Sequence, residues 1–297
     1  MTRGNTTVVL QKVLYPALRD EFLSGRLQRI GGFVLRAQDA VAAQTPAQLH
    51  EAFALGYPGS PYDPNAPFVD VIRFQPPRGP VAHDAVTPAV VDHPPYTGTG
   101  FAPWPDHVAP VYLLDETPLP AGAEMWRVSA DGSEDLLAIH PDVATGWLQV
   151  AGGEEVPRVP ILPSTLAWHA IWQGQDFVAD VTRDGIVLLA AEQLEGFEAT
   201  RGPAWRRVVP AEEVTDVFRM RLECRYRGLP CVVTDSGQDE TGTVLRLAYV
   251  GHDAEFAEGM SLHKLDAGWY WTAARQEEIE GLQGIQERFE DLPHADA

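Results

Sequence analysis

Nine histidines, two cysteines and 42 carboxylates are the groups in this 297-residue chain that could bind a metal, attack a carbonyl or move a proton. His83, His93 and His107 fall in one loop-rich segment. Their spacings of ten and fourteen match no compact ligand motif, and no histidine pair at helical spacing accompanies them, so no metal is expected. Cys224 and Cys231 lie on neighbouring strands without a Cys-x-x-Cys pairing and read as small hydrophobes. Ser60 in Gly59-Ser60-Pro61 and Ser236 in Asp235-Ser236-Gly237 are turn residues outside any Gly-x-Ser-x-Gly frame. The Gly31-Gly32 and Gly152-Gly153 pairs lack the downstream glycine and lysine of a phosphate-cradling loop. Glu154-Glu155, Glu212-Glu213 and Glu277-Glu278 read as solvated faces or first-turn helix charges rather than acid/base dyads. No cofactor is expected. Were the chain an enzyme acting on a nucleotide or a sugar, its site would fall in the Gly56 to Pro110 loops. There Tyr62, Asp63, His83, His93 and His107 are the available groups, and a histidine could meet Asp63 or Asp106 in space.

The elements that would position these groups are unevenly marked. Leu10, Val13, Leu14, Leu18, Phe22 and Leu23 recur near helical spacing, and Pro16 places a helix at about Pro16 to Ser24. After a short strand at Phe33 to Arg36, Thr45-Pro46 is an N-cap with proline at the first helical position, opening a helix to about Leu55. Gly56 to Pro67 is too proline-rich for regular structure, Phe68 to Phe74 alternates as a strand, and Gln75 to Pro110 shows no period, as in a binding or wrapped loop. Strands are expected at Val111 to Leu114, Glu124 to Val128, Leu136 to Ile139 and Trp147 to Val150, then a linker at Gly152 to Pro163.

The second half carries a diverged internal repeat. Trp172-Gln173-Gly174 aligns with Tyr226-Arg227-Gly228 at a spacing of 54, and Trp205 to Val217 with Tyr270 to Leu282 at 65, the excess falling where Ala254 to Met260 reads as a helix. The fold class expected is therefore β-rich α+β: an N-terminal α+β domain over 1–152, then two tandem small bent β-sheet or half-barrel units over 164–222 and 223–292. Trp168, Trp172, Trp205, Trp269, Tyr270 and Trp271 belong to strands and to the core. Tyr57, Tyr62, Tyr96, Phe101 and Trp104 stand in Pro/Gly loops, as packing anchors or as a contact surface.

Charge narrows the partner. With 42 Asp+Glu against 22 Lys+Arg the formal charge is −20, which repels nucleic acid and favours a basic protein. No apolar run approaches membrane-spanning length and no leader is expected, and two cysteines make no disulfide framework, so a cytoplasmic setting follows. Candidate partner-binding residues are the loop residues Tyr57, Tyr62, Asp63 and Trp104 and the repeated acidic pairs Glu212, Glu213, Glu277 and Glu278.

The aromatic-x-Gly turns at Trp172 to Gly174 and Tyr226 to Gly228, Trp205-x-x-Val208-Val209-Pro210-x-Glu212-x-Val214-x-Asp216 and Gly268-Trp269-Tyr270-Trp271 carry a resemblance. They resemble small β-rich immunity (antitoxin) proteins of high-GC bacteria, directed against necrotizing-type NAD glycohydrolase toxins. The resemblance is confined to the C-terminal half, and Ala273-Ala274-Arg275 stands where the first unit has Val208-Val209-Pro210. It implies stoichiometric neutralisation of a toxin by occlusion of its active site, with no catalysis by the immunity protein.

Overall fold

The computed structural model describes residues 9–75, 92–93, 96–103, 108–150, 165–240 and 242–288, and between 92 and 110 it describes the backbone alone. The described chain is β-rich and antiparallel. The first sheet contains β1 (Leu10–Leu14), β2 (Arg29–Arg36), β3 (Phe68–Phe74), β4 (Asp92–His93), β5 (Tyr96–Pro103), β6 (Val108–Pro118), β7 (Ala123–Ser129), β8 (Glu134–His140) and β9 (Leu148–Gln149). Their order is β4-β5-β6-β2-β1-β3-β7-β8-β9. Helix α1 (Pro16–Leu23) joins β1 to β2, and α2 (Pro46–Ala52) lies between β2 and β3.

Leu10 to Leu14 shares the helical period of the residues after it, yet it is a strand. The strand lies at the centre of the sheet and all five of its residues are buried. On one face Leu10 and Leu14 pack with Leu18 and Phe22 of α1 and with Trp269. On the other, Val13 packs with Leu49 and Ala52 of α2. A strand covered on both faces loses the alternation that would mark it as one. Helix α2 starts as expected, with Thr45 Oγ1 accepting the Gln48 N–H. It ends at Ala52, short of Leu55, because Ala54 turns left-handed (φ 50°) and the Leu55 and Ala54 N–H groups close back on the His50 and Glu51 carbonyls. Within the proline-rich stretch, Tyr96 to Pro103 is a strand rather than a loop. It pairs with β6 through a shifted register at Gly98/Gly100, and among the described residues no strand pairs with its far side beyond Thr97, where proline is tolerated. The expected linker at Gly152 to Pro163 lies outside the described residues.

The second sheet contains β10 (Ala167–Trp172), β11 (Gln175–Thr182), β12 (Gly185–Ala190), β13 (Glu198–Ala199), β14 (Trp205–Val209) and β15 (Val214–Tyr226). After these come β16 (Leu229–Asp239), β17 (Gly242–Tyr249), helix α3 (Ala254–Gly259), β18 (His263–Asp266), β19 (Trp269–Arg275) and β20 (Ile279–Arg288). One sequence of elements occurs twice. Strands β10-β11-β12-β14 are neighbours in that order, then a 3₁₀ turn over Ala211–Glu213 leads into β15, which pairs back on β10. Strands β15-β16-β17-β19 repeat the order, and a 3₁₀ turn over Gln276–Glu278 leads into β20, which pairs back on β15. The tight hairpins match in dihedral angle as well as in sequence. Gln173 and Gly174 have φ of 51° and 77°, Arg227 and Gly228 have φ of 50° and 81°, the doubly left-handed turn that suits a twisted hairpin. Strand β15 runs unbroken through the expected boundary at 222/223, so its last residues open the second copy.

The two sheets also meet where the turn after β8 docks on β11. The Val143 N–H donates to Asp180 Oδ2 at 2.6 Å, and Arg206 Nε pairs with Asp142 Oδ2 at 2.9 Å. Burial, opposed by that N–H and reinforced by the charge of Asp142, pushes the Asp180 carboxyl up to about 8. The folded chain therefore holds this proton more tightly than the unfolded chain, and stability falls as pH rises from the ordinary value of 3.8 towards about 8. Asp180→Asn keeps an acceptor for Val143 and removes the titration. Its urea midpoint should exceed that of the parent at pH 8, with the advantage gone near pH 4; parallel midpoint-against-pH curves would contradict this assignment. The matched hairpins give a second expectation. Nothing lies within 4 Å of a Cβ built on Gly174 or Gly228, so Gly174→Ala and Gly228→Ala should each cost about 1–2 kcal/mol from the left-handed backbone alone. Gly32→Ala should cost clearly more, since its Cβ would fall 2.7 Å from the Ala267 carbonyl oxygen. Urea unfolding of the three variants orders them directly.

Candidate functional site

The loop that follows α2 is held against the first sheet by Tyr62, which packs with Val13, Leu49 and Leu55. Its hydroxyl lies 3.0 Å from Asp266 Oδ1 and 3.1 Å from the Val13 carbonyl, so one proton serves two acceptors. The Tyr15 ring meets the Tyr62 ring edge-on at 5.5 Å and donates its own hydroxyl to the Leu265 carbonyl at 2.8 Å. Asp266 is also the partner of Lys12, whose side chain is only 2% exposed. Burial first, and then the Asp266 charge, raise the phenol pKa values of Tyr15, Tyr57 and Tyr62 above the ordinary value. These tyrosines stay protonated and act as donors.

Beside Tyr62 a groove of about 300 Å³ opens between Tyr15, His50, Tyr62, Asp63 and Phe68, with Pro16, Pro46, Pro61 and Pro67 along its walls. Asp70 on its floor is buried and holds Arg127 through two contacts, at 2.8 and 3.0 Å, and Arg19 at 3.1 Å. Asp63 stands exposed at the rim, its Oδ1 accepting only the Asn65 N–H at 2.9 Å. Tyr57 is half-buried, with Lys264 Nζ 4.2 Å from its ring centroid. Of the loop's aromatic residues Tyr62 is a packing anchor. Tyr62 anchors inward, and Asp63 faces solvent.

The repeated acidic pairs occupy the two 3₁₀ turns, and all four side chains are exposed. Glu213 accepts the Trp172 indole N–H at 3.3 Å and Glu278 the Arg275 backbone N–H at 2.6 Å. Trp104, His83, His107 and Asp106 lie outside the described residues, and of His93 only the backbone in β4 is described. Among the described residues no three His, Cys, Asp or Glu side chains gather as a metal site would need. Protein-family models, curated proteins and solved structures alike contain no match to this chain.

Asp115 and Glu116 escape a reading of the sequence. A strand expected to stop at Leu114 continues to Pro118 and carries both carboxylates into the protein. Glu116 accepts from Arg29 Nε at 2.8 Å, from Trp269 Nε1 at 2.7 Å and from Arg246. Its burial alone would raise its pKa, but the Arg246 and Arg29 charges and these hydrogen bonds hold it below the usual carboxylate range. Arg29 in turn donates to the Thr234 carbonyl at 2.9 Å. No local signal could have revealed this, because the partners lie 87, 130 and 153 residues away in the chain. Next to Glu116 a second cavity of about 320 Å³ runs between the sheets.

The buried polar joint between Tyr62, Lys12 and Asp266 sets the groove wall. Tyr62→Phe should cost about 1–2 kcal/mol by taking one donor from Asp266. Asp266→Asn should cost about 3–5 kcal/mol by leaving Lys12 buried and uncompensated. Equal losses in urea unfolding would mean that Lys12 finds another partner.

Proposed function

We propose that this chain is an acidic cytoplasmic binding protein of the immunity type, which neutralises a basic partner, a toxin, by covering its active site. The reading takes the chain as an N-terminal α+β domain followed by two tandem half-barrel units, and assigns it no catalysis. What supports it is the way charge is divided between inside and outside. Arg19, Arg29, Arg73, Arg127, Arg206, Arg219, Arg246 and Arg275 are all engaged in ion pairs within the fold. Among the described residues Asp63, Glu212, Glu213, Glu277 and Glu278 are exposed and form no ion pair. With a formal charge of −20 on the chain, these exposed carboxylates are available to a basic partner.

A field of one sign accelerates encounter with a basic partner, which suits a protein that must reach a toxin before the toxin reaches its substrate. The proline- and aromatic-lined groove beside Asp63 supplies the apolar contact that slows dissociation once the charges have met. Affinity capture from the native host followed by mass spectrometry identifies the partner, and stopped-flow association with that partner tests the mechanism. The captured protein should be basic, and its association rate should fall by about tenfold or more between low and physiological salt. Replacing Glu212, Glu213, Glu277 and Glu278 together by lysine should remove most of that salt dependence and slow association. A partner of acidic or neutral surface, or a rate indifferent to salt and to the four substitutions, would overturn the reading.

A further inference from the structure

The last strand, β20, is an edge that the fold leaves open. Among the described residues it pairs with β15 alone, and five residues in a row, Glu280 to Gly284, are exposed. An edge strand presents a row of backbone N–H and C=O groups to any chain that can pair with them, and soluble proteins blunt such edges with charge or proline. Gly281 to Gln286 has neither, in a chain with 42 acidic residues and 25 prolines. Gly281 is left-handed (φ 63°) where the register against β15 shifts, and beyond that bulge the ladder runs regularly from Gln283 to Arg288. The two charges in that stretch, Glu287 and Arg288, are already paired with Arg219 and Asp216. The repeat shows what such an edge accepts. Gln283 to Arg288 hold in the second closing strand the place that Phe218 to Glu223 hold in the first, at the spacing of 65. The outer edge of Phe218 to Glu223 is covered by an antiparallel strand, β20 itself. On the equivalent edge of β20 no strand lies among the described residues. At the start of β20, Glu277, Glu278 and Glu280 are exposed and make no ion pair among the described residues.

We infer that the outer edge of β20, from Gln283 to Arg288, is where an extended segment of the basic partner docks as an added antiparallel strand. Antiparallel pairing brings the C-terminal end of that segment to Glu277, Glu278 and Glu280, so its basic residues lie at that end. The inference rests on the reading of the chain as a binder of a basic protein and adds how the partner is held. Main-chain hydrogen bonds to the edge supply the affinity, and the acidic start of the strand sets the direction. A second copy of this chain is the poorer occupant, since two chains of charge −20 repel each other.

The test uses the purified chain and two end-blocked peptides of one composition, Thr-Val-Thr-Val-Thr-Val-Lys-Lys-Lys and Lys-Lys-Lys-Thr-Val-Thr-Val-Thr-Val. Titration is followed in the amide NMR spectrum of the isotope-labelled chain, which reads affinity and place together. The peptide with C-terminal lysines should shift the amides of β20 and bind about tenfold or more tightly than the other. Replacing Glu277, Glu278 and Glu280 together by glutamine should bring the two peptides to one affinity. Two further peptides leave the protein unchanged: one carries methyl groups on the threonine backbone nitrogens, the other on those of the valines. Alternate N–H groups of a strand point to opposite sides, so one of the two should lose about tenfold or more and the other should keep its affinity. Absence of binding at about 1 mM, shifts away from β20, no preference between the two lysine placements, or indifference to both methylated sets would each overturn the inference. Self-association of the chain that the peptide displaces would give the edge to a second copy and overturn it as well. Should the peptides fail while the captured partner still associates in a salt-dependent way, this docking mode falls and the binding reading stands.

Discussion

A carboxylate taken out of water must be met by donors, and in this molecule the donors that meet Glu116 decide how the two sheets sit together. Arg29 comes from β2, Arg246 from β17 and Trp269 from β19, so one buried charge fastens three strands of two sheets. Removing any one of them would leave charge or polarity stranded, which is far more costly than losing an exposed pair. The joint also explains the glycine pair in β2. A Cβ on Gly31 would fall 3.2 Å from the Trp269 ring, and one on Gly32 would press on the Ala267 carbonyl. The indole can reach Glu116 only because the strand beneath it has no side chains there. Lys12 lies 5.6 Å from the centroid of the same ring and pairs with Asp266 at its side, so charge, aromatic ring and bare backbone form one continuous polar joint.

The second constraint is the strand that the two repeats share. Phe218 in β15 is opposite His169 of β10 on one side and Arg288 of β20 on the other, and four residues later Leu222 is opposite Val233 of β16 and Gly284 of β20. The strand that closes the first meander is thus the strand that opens the second. Both copies use this one strand to complete their pairing. The aromatic cores remain separate even so: Trp172, Phe177 and Phe197 pack in the first copy, Tyr226 and Tyr270 in the second.

Legibility in the sequence followed the range of the interaction. Turns and caps are set by neighbours in the chain, so the Gln173-Gly174 and Arg227-Gly228 hairpins, the Thr45-Pro46 start of α2 and the alternation of Phe68 to Phe74 could all be read directly. Where tertiary burial overrides local pattern the reading fails. Leu10 to Leu14 is hidden on both faces and shows no alternation, and Asp115-Glu116 looks like the polar end of a strand while lying buried within one that runs on to Pro118. At the groove, the loop aromatics were visible as a class, but that Tyr62 turns inward follows from Asp266, a residue 204 positions away.

The same separation of near and far accounts for the surface. Arginines that neutralise carboxylates inside the fold are held there, since each is fixed in place on its carboxylate and its charge is already matched. Arg127 is held by Asp70 and lies over the Phe68 ring, and Arg73 is held by Gln11 and Glu134 over the Trp126 ring. With 22 basic residues against 42 acidic ones, each arginine drawn inward takes a carboxylate with it, and the excess of acidic residues is left for the rest of the molecule. Interior pairing and exterior charge are therefore coupled outcomes of one composition. A change to an interior arginine acts on folding, whereas a change to Glu212 or Glu277, exposed in the 3₁₀ turns beside the hydrogen-bonded Glu213 and Glu278, leaves the buried joint intact and acts on what approaches from outside.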